Sequence, residues 1–142
     1  MRELFVPGEI IEVIGLNSAA MVIDAASNRY KLNIITSDGE YLIVNDTSVR
    51  KTGKIISNQI FKEALEPCNI NEIAVGCMYR DQYKRLHMMV AFKNNNFASL
   101  YCFKDKRYIN GFFFKGAMEP LGIRINFEKL MKLAVPAKRA NL

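Results

Sequence analysis

The chain has one histidine, no tryptophan and three cysteines among its 142 residues. A single imidazole leaves little from which to build a histidine metal centre or a hydrolytic triad. Cys68, Cys77 and Cys102 form an odd set without C-x-x-C spacing, which argues against both structural zinc and a secreted disulfide framework. Reduced thiols in a cytoplasmic protein are expected, with no metal and no cofactor. No stretch approaches the ~20 apolar residues that a bilayer span needs. The start, Met1 to Pro7, lacks the apolar segment of a signal peptide, so no membrane partner is expected. Gly53-Lys54 lacks the upstream glycine and the following Ser/Thr of a phosphate-binding loop. No close carboxylate pair suggests acid–base hydrolysis. His87 lies between Leu86 and Met88, where a partly exposed strand position is expected rather than a catalytic one. The residues motivate no enzyme.

Positive charge and aromatic rings are what the chain does have. The formal net charge is +6. Residues 1–71 carry a net −2 and residues 72–142 a net +8, so the excess sits wholly in the second half. Such polarity suits an anionic partner, most simply nucleic acid. A solvated basic face would look the same in sequence.

The apolar pattern is mostly of period two, the mark of strands. Strands are expected over Glu9–Ile14, Ala19–Ala25, Arg29–Ile35 and Glu40–Val44, with a fifth near Ile56. Tyr30, Leu32 and Ile34 should share one face. Ser37-Asp38-Gly39 predicts a hairpin tip, because glycine relieves a positive φ. Ser57 can cap a short helix to about Glu66, with Ile60, Phe61, Ala64 and Leu65 on one face. Further strands are expected at Ile73–Tyr79, Arg85–Phe92, Phe97–Phe103, Tyr108–Phe114 and Gly122–Ile125. Asn126 can cap a last helix, where Phe127, Leu130, Met131 and Ala134 repeat at helical spacing until Pro136.

Pro7-Gly8-Glu9-Ile10-Ile11-Glu12-Val13, Met21-Val22-Ile23-Asp24, Tyr30-Lys31-Leu32 and Asp38-Gly39-Glu40 together resemble a Src-homology-3-like barrel of the KOW or Tudor kind. The resemblance covers residues 6–56. It implies a small five-stranded barrel of the sort that binds nucleic acid or peptides, or holds another domain in place. The expected architecture is therefore β-dominated α+β. Residues 1–56 form the barrel; residues 57–142 form an antiparallel sheet with two short flanking helices. Neither half has much core alone, so the two should pack as one unit.

Eight of the fifteen aromatic residues fall between Phe92 and Lys115. A hairpin closed by Lys104–Arg107 would set Phe103 opposite Tyr108, Tyr101 opposite Asn110, Ser99 opposite Phe112 and Phe97 opposite Phe114, all on one face. That face can be core, since aromatic cross-strand pairs stabilise sheets. It can instead be a platform on which unpaired bases stack, with Lys93, Lys104, Lys106, Arg107 and Lys115 neutralising phosphate and Tyr101 or Tyr108 stacking. Arg50, Lys51 and Lys54 read as a solvated loop. Two functions remain open: a nucleic-acid-binding protein favouring single strands, and a protein-interaction or inhibitor module that binds a protein through the barrel or a sheet edge. The oligomeric state is not encoded in any of these patterns.

Overall fold

A computed structural model describes residues 4–26, 30–57, 60–94, 97–112 and 118–137. Two six-stranded antiparallel sheets make up the fold. The first contains β1 (Glu9–Val13), β2 (Ser18–Ala26), β3 (Lys31–Thr36), β4 (Tyr41–Asn45), β5 (Val49–Ile55) and β12 (Val135–Pro136), in the order β12-β5-β1-β2-β3-β4. The second contains β6 (Leu65–Pro67), β7 (Cys77–Arg80), β8 (Leu86–Asn94), β9 (Phe97–Cys102), β10 (Arg107–Phe112) and β11 (Glu119–Ile125), in the order β10-β9-β8-β7-β11-β6.

Strand alternation divides the apolar residues between two faces of the first sheet. Ile11, Val13, Ala20, Val22, Leu32 and Ile34 pack together on one face, with Phe5 against them. Ile10, Met21, Ile23 and Ile35 point the other way. There they meet Met78, Met88, Val90 and Tyr101 of the second sheet, and residues of both halves form one core. Phe61, Phe127 and Leu130 fill the space between the layers. The outer face of the second sheet buries Cys77, Tyr79, Met89, Ala98 and Leu100 under the segment that includes Ile73 and Ala74.

The expected five-stranded barrel does not form. The β5 strand pairs with β1 on one side and with β12 on the other, Val135 facing Ile55. The two-residue β12 takes the Lys54–Ile55 end of β5, β4 ends the sheet on the other side, and the sheet stays open. The expected pair of helices is also corrected. Residues Ile60–Ala64 form only a 3-10 turn, and the chain runs straight into β6. There Leu65 and Glu66 pair with Ile125 and Arg124. A continued helix would forgo that ladder. Among the described residues the one α-helix is α1 (Phe127–Lys132), started as expected by Asn126, whose side chain accepts the Lys129 amide at 3.0 Å.

The tip after β3 spans Ser37 to Gly39. The Thr36 amide donates to the Glu40 carbonyl at 2.9 Å, and Gly39 takes φ +85°. This is the three-residue hairpin loop in which glycine occupies the left-handed position. Tyr30 stands outside β3, at φ +58° in the preceding turn, and does not join the face of Leu32 and Ile34.

Candidate nucleic-acid interface

The aromatic hairpin forms with a register two residues from the expected one. Tyr108 faces Tyr101, Asn110 faces Ser99 and Phe112 faces Phe97. The tip is Phe103–Lys106, with Lys106 at φ +50°. Phe103 leaves the ladder because the core takes it: its ring stacks on Phe61 at 4.6 Å and meets the edge of Tyr101 at 5.0 Å. A two-residue slip preserves the parity of side chains, so Tyr101 and Tyr108 still share a face.

That face is turned inward. Tyr101 is 1% exposed, between the sheets, and burial pushes its phenol well above the ordinary tyrosine range. Its ring has no free face on which a base could stack, which removes it from the expected platform. Tyr108 is half-buried at the seam between the layers. Its hydroxyl donates to Ser99 Oγ at 3.0 Å. The Tyr41 hydroxyl, on the first sheet, donates to Asn33 Oδ1 at 2.6 Å. Tyr108 and Tyr41, one from each sheet, pack against the same core. The side chains of Lys93, Phe97 and Phe112, and all of Phe114 and Lys115, lie outside the described residues.

The expected cations separate. The stem of Lys106 lies over Gly8, Cε being 3.7 Å from where a Cβ would stand there, and desolvation lowers its ammonium pKa. Arg107 is exposed at the start of β10. Lys104 instead lines a cleft of about 340 Å³. Antiparallel pairing brings the tip before β8 and the tip after β9 to the same end of the second sheet, and the turn at Ile60–Ala64 lies beside them. Phe61, Leu86 and Cys102 give the cleft apolar ground. Lys62, Lys84, Arg85 and Lys104 line it together with Asp105, and Arg85 is ion-paired with Asp81 behind it. Tyr83 stands on its wall, 70% exposed, with the Arg85 guanidinium 5.3 Å from its ring centre.

This wall is the loop between β7 and β8, which sequence pattern marks only as a polar connector. Asp81 organises it. Oδ1 accepts the Tyr83 and Arg85 amides at 2.8 and 2.9 Å. Oδ2 receives Arg85 Nε at 2.8 Å and faces His87 Nε2 at 2.9 Å. Burial works to raise the pKa of Asp81, but the bonds to His87, Arg85 and Tyr83 outweigh it and hold the carboxyl far below the usual carboxylate range. An ionised carboxylate can only accept, so Nε2 is the donor in this contact. His87 is 3% exposed rather than partly exposed as expected, and its buried Nδ1 has no hydrogen-bond partner among the described residues. Burial raises the Cys102 thiol, which points to Asp105 Oδ2 at 3.7 Å; that is the reverse of an activated nucleophile. The signal for this wall in sequence was one tyrosine among Arg80, Lys84 and Arg85, close to an aspartate.

A second cleft, of about 380 Å³, lies between the Ser37–Gly39 tip and β11. Its charged lining is Asp38, Glu66, Arg124 and Glu128, three acids to one base. Arg124 pairs with Glu66 at 2.8 Å and Glu72 at 3.3 Å, and the Asn126 amide donates to Glu66. The Arg124 hydrogen bond holds the Glu66 pKa down. Among the described residues, no group of three or more His, Cys, Asp and Glu could hold a metal ion, and no helix is long and apolar enough to cross a membrane. No protein-family model matches the chain, and no curated protein matches it.

Proposed function

We propose that this is a non-enzymatic nucleic-acid-binding protein that takes single strands in the cleft between its two hairpin tips. The observation that carries the reading is Tyr83, a largely exposed ring beside four cations. Base–aromatic stacking is worth ~1–3 kcal/mol per base, and cations along the groove neutralise phosphate. A duplex keeps its base faces covered by their neighbours, so an unpaired strand is the better ligand for such a wall. Lys104 keeps the role expected of it, while Tyr83, Lys62, Lys84 and Arg85 replace the tyrosine platform.

Anisotropy of short labelled single strands, titrated at several salt concentrations, tests this. Tyr83→Ala should cost at least about fivefold in affinity. Lys104→Ala should flatten the plot of log K against log salt by about 0.7. Lys106→Ala should leave that slope unchanged, since Lys106 does not line the cleft. Absence of binding to single-stranded and duplex DNA and RNA at low salt would end the proposal. The second reading, a protein-interaction or inhibitor module, is favoured by the outer strand β4. It lies at the edge of its sheet and carries Ile43 at 59% exposure, a form open to strand addition. Retention of a protein partner that is lost with Ile43→Lys, without nucleic-acid binding, would establish it instead.

A further inference from the structure

The β7–β8 loop is held by one side chain. Between the ends of β7 and β8, the Asp81 carboxylate takes four hydrogen bonds, from the Tyr83 amide, the Arg85 amide, Arg85 Nε and His87 Nε2. The backbone closes around it, Asp81 N donating to the Arg85 carbonyl and Lys84 N to the Asp81 carbonyl. The backbone of the wall is thereby fixed through Asp81 at Tyr83 and Arg85, with Lys84 between them in a left-handed conformation, and the Arg85 guanidinium that Asp81 holds lies 5.3 Å from the centre of the Tyr83 ring. His87 braces Asp81 from within. It is 3% exposed, and its Nε2 is spent on this contact.

We propose that Asp81, braced by His87, is the positioning residue of the binding cleft: it orders Tyr83 for stacking and restrains the charge of Arg85. This deepens the nucleic-acid reading and rests on it. Two opposite effects of the same carboxylate follow. Ordering the Tyr83 ring lowers the entropy lost when a base stacks, which strengthens the part of binding that salt does not screen. Partial neutralisation of Arg85 weakens the part that salt does screen. Removing Asp81 should therefore tilt the salt dependence, not merely shift it. A residue needed only for general stability would lower affinity without changing the slope.

The experiment measures single-strand affinity across salt for the wild type, Asp81→Ala and Asp81→Asn, each checked for folding by far-ultraviolet circular dichroism. In Asp81→Ala the line should steepen by about 0.7, one phosphate's worth, as Arg85 is freed. Affinity at high salt should fall at least about fivefold as the ring loses its order. Asp81→Asn keeps an acceptor for the two amides, so it should show the steeper line with a smaller loss at high salt. Amide exchange of Tyr83 and Arg85 should quicken in Asp81→Ala and stay slow in Asp81→Asn. Salt lines superimposable on the wild type in the folded variants overturn the proposal. If Asp81→Ala does not fold, Asp81→Asn decides by the same criterion. A wild type that binds no strand at all overturns the functional reading itself, an outcome distinct from a wild type that binds and variants that match it.

Discussion

Tyr101→Ala separates core from platform most sharply. Tyr101 is 1% exposed and sits opposite Met88 on one side and Tyr108 on the other. Its ring meets Phe103 edge-on at 5.0 Å, and Phe103 is stacked on Phe61. Removing the ring leaves a void at the point where the second sheet touches the 3-10 turn. Large aromatic-to-alanine changes in cores cost ~3–5 kcal/mol, from lost transfer energy plus the cavity. For a chain of this size that is a fall of about 10–15 °C in Tm. Thermal and urea unfolding followed by circular dichroism would measure it, with the urea m-value showing whether the folded state stays compact. Tyr83→Ala, on an exposed wall, is the control: its Tm should move by less than about 2 °C, because surface changes are usually within ~0.5 kcal/mol. A Tyr101→Ala protein with nearly unchanged Tm and reduced strand binding would refute the burial argument and restore Tyr101 to the platform.

Gly76→Ala should destabilise by about 2 kcal/mol or more, since φ is +96° and the new methyl would stand 3.0 Å from Phe127 Cε2 and 3.3 Å from the Ile125 carbonyl. Gly53→Ala, at φ +79° with open space around it, should cost only about 1 kcal/mol in a parallel denaturation curve. The depressed pKa of Asp81 gives its bonds a pH signature. Their contribution is fully present above the ordinary carboxylate pKa and is lost as pH falls through the lower folded value. The Tm gap between wild type and Asp81→Asn should therefore be constant near neutrality and close below about pH 4; a gap that instead widens in acid would contradict the assignment.

The sequence determined by itself what local chemistry decides. Alternation of apolar residues marked most strands and the two faces of Ile10–Val13 and Met21–Ile23. Asp38-Gly39 fixed a tip because a left-handed turn position wants glycine, and Asn126 fixed a helix start because its side chain can accept an orphan amide. The common face of Tyr101 and Tyr108 was legible too, since a slip of two residues does not alter parity. Period two, however, says which side chains share a face and not what covers it. Only the packing of one sheet on the other turned that face inward and drew Phe103 out of the ladder onto Phe61. Only the tertiary structure left β4 at the end of an open sheet and set Leu65–Pro67 against β11 where the helix was expected to continue. The cleft is of the same kind. Lys62, Tyr83 and Lys104 are far apart in the chain, and they meet because the ladders of β7, β8 and β9 end together beside the Ile60–Ala64 turn. That is a long-range consequence of register, on which local residue pattern has no hold.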